Sequence, residues 1–213
     1  MARRAKIQPP HLLITLALIY FLVLILWLIY RVITSYSEVL DELIFKPIIW
    51  LAPVVMASSY YRINISVLLR KPKISLIHLS ILSGIGLALT QIIPQMIRGS
   101  QVLNISFIYI FTQTIITIGT AFTEEVLFRG LLLKQSGKYF PPVMSNIAIS
   151  ILFVIIHLPL FIFVKHYPMQ EAYIGSLELF ISSLVYGGLF QAGNNLWPAI
   201  VTHYINNILL SIL

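Results

Sequence analysis

Long apolar runs recur along this chain, and they constrain its fold more than any other feature. The first extends from residue 12 to residue 33, and a helix that spans a bilayer needs about 20 such residues. Only 10% of all residues are charged, whereas 59% are apolar, so there is too little polar surface to cover a soluble globule. We therefore predict an all-α, polytopic membrane helix bundle. The first run is too long for a signal peptide and is expected to remain as a span.

The apolar runs predict about seven transmembrane helices, with eight as the alternative if one span is hidden or merged. They cover residues 12–33, 44–61, 74–93, 104–133, 143–164, 172–191 and 197–213. Pro94 is expected to end the third helix. No internal repeat or soluble segment interrupts the series, so residues 1–213 are interpreted as a single transmembrane domain.

Basic residues collect in alternate loops, which predicts the orientation of the chain in the membrane. One set comprises Arg3, Arg4, Lys6, Arg62, Arg70, Lys71, Lys73, Lys134 and Lys138, and the other comprises Arg31, Lys46, Arg98 and Lys165. Because short cytoplasmic loops are enriched in Lys and Arg, the larger set predicts a cytoplasmic N-terminus and an outer C-terminus. The net charge of +7 is explained by this topology, and no nucleic-acid partner is predicted.

Two adjacent carboxylates and an arginine interrupt the fourth apolar run. Glu125 and Arg129 are four residues apart, share a helix face and are expected to form an ion pair. Glu124 points about 100° away, towards the side of Gln113, Thr117 and Thr120. Since ionisable groups at membrane depth are costly and persist mainly at functional sites, we expect Glu124 to remain unpaired in a small polar cavity that opens towards the cytoplasm.

Polar residues on two further helices are candidates for the same cavity. His157 lies in an apolar segment four residues after Phe153, and His203 shares a helix face with Asn207. Each has a simpler interpretation: His157 as a packed core residue, and His203 with Asn207 as a hydrogen-bonded contact between helices. Helix rise places Glu124, His203 and Asn207 at similar depths and His157 deeper.

Together these four residues are suited to hydrolysis of a peptide bond. A glutamate can act as general base towards water, a neutral histidine can help to hold that water, and a second histidine with an asparagine amide can donate hydrogen bonds to the oxyanion. Two histidines and a glutamate could instead bind zinc. The spacing lacks the His-Glu-x-x-His pattern of metalloproteases, so no cofactor is predicted and zinc is the minority alternative.

The motifs Glu124-Glu125-x-x-x-Arg129, Phe153-x-x-x-His157 and His203-x-x-x-Asn207 resemble the three motifs of the CAAX protease and bacteriocin-processing (CPBP, or Abi) family. The resemblance covers about residues 104–213. It implies an all-helical intramembrane glutamate endopeptidase, with Glu124 as the base, His157 assisting, and His203 and Asn207 forming the oxyanion hole. Glu125, Arg129 and Phe153 would support them. Nothing in the sequence indicates recognition of a prenyl group.

The leading hypothesis is therefore a metal-independent peptidase that acts on a membrane-associated peptide or protein, in bacteriocin or peptide-signal processing or in self-immunity. A non-catalytic membrane immunity or regulatory protein is the main alternative. A proton-coupled transporter is a weaker alternative, since it would use the same groups as a relay. Glu178 is a further intramembrane carboxylate without an assigned role, and the oligomeric state is left open.

Overall fold

The computed structural model describes residues 11–33, 37–97 and 106–211, and within these ranges it contains helices and turns but no strand. Arg3, Arg4, Lys6, Arg98 and the predicted span ends at 104 and 212–213 lie outside the described residues. The helices of 15 residues or more in the described ranges are α1 (His11–Ile33), α2 (Lys46–Tyr60), α3 (Ile74–Ile97), α4 (Phe107–Glu125), α5 (Pro142–Pro159), α6 (Met169–Gly193) and α7 (Leu196–Ser211).

Three π-helical segments adjoin these helices. One, Asp41–Phe45, follows the short helix Glu38–Leu40 and runs directly into α2. A second, Val126–Leu133, continues α4 into the short helix Lys134–Ser136, and a third, Leu160–Val164, continues α5. π-Helical turns are rare and are frequently found at functional sites. The first segment ends directly before Lys46, the second begins directly after Glu125, and the third begins three residues after His157.

The prediction of an all-helical membrane protein is confirmed, whereas the number of spans remains a prediction. By length and composition, four helical stretches of the described chain can cross a membrane: His11–Ile33, Ile74–Ile97, Pro142–Val164 and Met169–Gly193. The helices α2 and α7 have 15 and 16 residues, which is less than a full crossing requires.

Pro94 does not end the third helix as expected, because α3 continues through it to Ile97. A proline is tolerated within a packed membrane helix, where neighbouring groups satisfy the freed backbone carbonyl. Gly84 of the same helix allows close packing on α7: a Cβ at this position would lie 2.9 Å from the carbonyl oxygen of Thr202. At Gly86, in contrast, a Cβ would meet no atom within 4 Å.

The connecting segments divide the bundle into two ends. The basic end comprises residues 62–73 and 134–138. Both segments form hydrogen bonds with the turn between α6 and α7. Asn195 donates to the Arg70 carbonyl oxygen (2.7 Å), and Lys134 donates to Asn194. Helix α1 starts at this end, since Thr15 and Tyr61 form a hydrogen bond of 2.6 Å. The opposite end comprises residues 37–45 and 160–171, and α2 separates it from the basic end by 15 residues, or about 22 Å of helix.

Candidate active site

Glu124, near the end of α4, is buried with 2% of its surface exposed. Its Oε1 accepts a hydrogen bond of 2.6 Å from Lys46 Nζ at the start of α2. Among the described residues its Oε2 has no hydrogen-bond partner. One oxygen of the carboxylate is therefore fixed by a cation, and the other is available to a reacting group.

Two histidines approach this carboxylate from separate helices. His157 Nε2 lies 3.8 Å from Glu124 Oε1, and His203 Nε2 lies 3.8 Å from Oε2. The Nδ1 atom of His157 is held by the Phe153 carbonyl oxygen (2.6 Å), and that of His203 by the Glu125 carboxylate (2.8 Å). Because both partner oxygens can only accept, each Nδ1 donates, and each Nε2 is turned towards Glu124.

Glu125 and Arg129 form the predicted ion pair, with 3.0 Å between Oε1 and Nη1. Both residues are completely buried. The second guanidinium nitrogen of Arg129 donates to the hydroxyl and carbonyl oxygens of Ser183 on α6 (2.7 and 2.8 Å). The guanidinium carbon lies 5.0 Å from the centre of the Phe153 ring. The pair thus connects α4, α6 and α7, and it fixes the orientation of His203.

A cavity of about 270 Å³ lies beside these groups, and it is lined by both polar and apolar side chains. The lining includes the four predicted catalytic residues Glu124, His157, His203 and Asn207, together with Phe153. Gln113, Thr117 and Thr120 of α4 also line it, which confirms the prediction that Glu124 shares their side of the helix. His157 therefore lies beside the other groups, although helix rise along the sequence predicts a greater depth for it.

Lys46 is the main residue that the sequence interpretation missed. The sequence predicts a loop position for Lys46 and an unpaired Glu124, and both predictions are wrong. Lys46 is buried, with 4% of its surface exposed, and its ammonium group also lies 2.7 Å from Glu42 Oε2. It faces the indole ring of Trp50 at 5.1 Å. The spacing of Glu42 and Lys46, four residues apart on one helix face, was the available signal.

Tyr186 and Asn206 were also missed. The Tyr186 ring stacks on His203, with 4.7 Å between ring centres and 13° between the planes. Asn206 donates from its side-chain amide to the Tyr186 hydroxyl (3.1 Å). Both residues line the cavity, so Asn206 reaches it although it is turned away from the His203 face. Glu178 is not among the lining residues.

The position of the cavity bears on its predicted opening. Its lining includes Glu38 and Glu42 before α2 and Lys165 after α5, all at the opposite end of the bundle. No lining residue belongs to the described basic end. The lining of the cavity and the start of α1 therefore lie towards different ends of the bundle.

These features define an all-helical membrane protein with a buried carboxylate and two imidazoles in one cavity. Residues 105–209 match the family model described as "Rce1-like: Type II CAAX prenyl endopeptidase Rce1-like", and this stretch contains all seven predicted site residues. Through this stretch the chain belongs to the Rce1-like family of CAAX proteases. At the level of the family it is an intramembrane protease, and therefore a peptidase. No match was found among curated proteins or among solved structures.

Proposed function

We propose that the protein is a glutamate-type intramembrane endopeptidase in which Glu124 activates water for attack on a peptide bond. The supporting observation is the convergence of Glu124 Oε2 and the Nε2 atoms of His157 and His203 on one cavity. Glu124 Oε2 can accept a proton from water, and His157 Nε2 can accept a hydrogen bond from the same water when that histidine is neutral. A separation of 3.8 Å between His203 Nε2 and Glu124 Oε2 allows one water oxygen to lie about 2.8 Å from both atoms, and His157 Nε2 lies 3.8 Å from the other carboxylate oxygen, Oε1.

The reaction begins when the oxygen of this water bonds to the peptide carbonyl carbon. Glu124 Oε2 takes the released proton, and the π electrons of the carbonyl group move to its oxygen. When the tetrahedral intermediate collapses, the carbon–nitrogen bond breaks and Glu124 returns the proton to the leaving amine. His157, held at Nδ1 by the Phe153 carbonyl oxygen, orients the water.

His203 and the Asn207 amide are proposed to stabilise the oxyanion. His203 would donate from Nε2 in the form that is protonated on both nitrogens, while its Nδ1 donates to the Glu125 carboxylate. Removing one donor from an oxyanion hole typically costs about 10²–10³-fold in rate. Lys46 has a different task, because its contact with Glu124 Oε1 leaves Oε2 as the oxygen that faces the water.

We further propose that hydrolysis does not need a metal ion. Within the described ranges, no group of three or more His, Cys, Asp or Glu side chains has an arrangement suited to a metal. The ammonium of Lys46 occupies the side of Glu124 on which a cation would otherwise be attractive. Strong chelation should leave peptide hydrolysis unchanged, whereas loss of activity that added zinc restores would favour the zinc alternative.

The proposed substrates are membrane-associated peptides or proteins, in bacteriocin or peptide-signal processing or in self-immunity. The test compares peptides in the membranes of cells that express the native chain or the Glu124→Gln variant at equal levels. Peptides that disappear only with the native chain would identify substrates. Glu178→Gln is the matched control, because it makes the same change outside the cavity lining.

If the Glu124→Gln variant leaves the peptide pattern and the cellular phenotype unchanged, the enzymatic proposal fails. An effect of Glu124→Gln that follows only the amount of folded protein would favour the non-catalytic immunity or regulatory role. Proton movement without cleavage would favour the transporter.

A further inference from the structure

The cavity and the basic residues occupy different ends of the bundle. Six Lys and Arg residues lie at the basic end: Arg62, Arg70, Lys71, Lys73, Lys134 and Lys138. Three of them line one groove at that end together with Asn194. None of the seven acidic residues of the chain lies in residues 62–73 or 134–138. A segment with this composition is typical of a cytoplasmic membrane surface.

The opposite end has a different charge pattern. Its described basic residues are Arg31 and Lys165, and Arg31 is paired with Asp41 at 2.8 Å. Lys46 does not count as a loop charge, because its ammonium group is buried between Glu42 and Glu124. Since the orientation of a membrane protein follows the bias of Lys and Arg in its short loops, six against two favours the basic end as the cytoplasmic one.

The mouth of the cavity is formed by exposed and half-buried residues of the opposite end. Glu38 and Lys165 are exposed, and Glu42 is half-buried. Gln113 connects α4 to this rim, since its amide donates to Glu38 at 3.1 Å. Leu160 and Phe161 add an apolar side. The mouth therefore offers both polar groups and an apolar wall to an amphipathic peptide.

From these two observations we infer that the cavity opens to the extracytoplasmic side, and that its substrates are extracytoplasmic segments of membrane-associated peptides or proteins. The location of the substrates rests on the proposed function, whereas the orientation of the cavity does not. This inference replaces the cytoplasmic opening predicted from the sequence. The physical reason is that basic loops fix which end stays inside, while the helix packing fixes which end carries the mouth.

The chain has no cysteine, so single cysteines can report the exposure of each end without background. Lys165→Cys tests the mouth, Thr120→Cys tests the cavity wall, and Lys71→Cys and Lys138→Cys test the basic end. Each full-length variant is treated in intact cells with a small, charged, membrane-impermeant thiosulfonate, and again after permeabilisation.

We expect Lys165→Cys and Thr120→Cys to react to the same extent in intact and permeabilised cells, and the two basic-end variants to react only after permeabilisation. The reverse pattern would overturn the inference and place the mouth in the cytoplasm. Reaction of Lys165→Cys from outside without reaction of Thr120→Cys in either state would overturn entry through this mouth.

A second measurement separates this inference from the proposed function. Peptides from the comparison of native and Glu124→Gln membranes are added to right-side-out and inside-out vesicles that contain the native chain. Cleavage only in right-side-out vesicles is expected, and cleavage only in inside-out vesicles would overturn the inference. Absence of cleavage in both, and also in detergent, would count against the enzymatic proposal, while the labelling still decides the orientation.

Discussion

Glu124 and Glu125 are neighbours in the chain, yet their carboxylates lie in different surroundings. Glu125 is enclosed on every side: it is fully buried and contacts Arg129 and His203. Glu124 borders the cavity, and its Oε1 accepts a hydrogen bond from Lys46. Its Oε2 lies 3.8 Å from His203 Nε2. A turn of about 100° per residue is enough to separate them.

Two adjacent intramembrane carboxylates can therefore divide a structural and a chemical role between them. The environment of Glu125 is suited to holding three helices and one imidazole in place. Each residue has one carboxylate oxygen without a hydrogen-bond partner among the described residues, but only Glu124 lines the cavity, where that oxygen could exchange a proton with a bound water. Each of the following changes tests one part of that division, in order of decreasing expected effect.

The same substitution at the two positions should have different consequences. Glu124→Gln removes the proposed base, and we expect a loss of roughly 10²–10⁴-fold in hydrolysis with the thermal unfolding temperature nearly retained, because Lys46 keeps Glu42 as a partner. Glu125→Gln leaves Arg129 buried without its counter-ion and should mainly lower the unfolding temperature. The hydrolysis rate and the thermal unfolding temperature of each purified variant test these two expectations. Equal effects on both quantities would contradict the division.

Arg129→Met tests the structural half of the comparison. Breaking a buried ion pair by removing one partner typically costs about 3–5 kcal/mol, so the free energy of unfolding should fall by a similar amount. The double variant Glu125→Gln/Arg129→Met leaves no uncompensated charge and should be more stable than either single variant. Unfolding in denaturant checks this, and additive losses would show that the two groups do not act as a pair.

The adjacent amides of α7 provide a matched pair for the oxyanion proposal. Asn207→Ala should lower kcat by about 10²–10³-fold if its amide donates to the oxyanion, with little change in KM or in stability. Asn206→Ala removes the contact with Tyr186 and should act mainly on stability. Steady-state kinetics with a cleaved peptide distinguishes them. A larger loss of kcat at Asn206 would reassign the donor.

Lys46 tests whether the orientation of Glu124 matters for its reactivity. Lys46→Met should lower kcat by up to about 10²-fold, the cost of a small misplacement of a catalytic group. It should also lower stability, since Glu42 and Glu124 then lack their shared cation. Lys46→Arg keeps the charge and should recover part of both. An unchanged kcat in the Met variant would show that the contact is purely structural.

Tyr186→Phe should have the smallest effect. The variant loses the hydrogen bond from Asn206 (3.1 Å) but keeps the ring that stacks on His203. Loss of one such bond costs about 0.5–1.5 kcal/mol of stability, and hydrolysis should be nearly unchanged. Thermal unfolding and kinetics check this. A large loss of rate would indicate that the hydroxyl itself contacts the reacting groups.

Much of this site could be predicted from the sequence because its motifs are local. Helical spacing of three and four residues places Glu125 with Arg129 and His203 with Asn207 whatever the rest of the chain does. The stretch assigned to the family from these motifs, about 104–213, nearly coincides with the matched residues 105–209. The chemical roles of these residues remain proposals.

The amino-acid sequence alone predicts that this chain forms membrane helices and that the residues within each of the three motifs share a helix face, because hydrophobic length and periodicity are properties of single segments. The contact of Lys46 with Glu124 across 78 positions of the chain is seen only in the tertiary structure, and so is the position of the cavity lining away from the basic end. Both depend on how helices tilt and pack against one another. That packing is set by contacts between distant residues, which no single segment encodes.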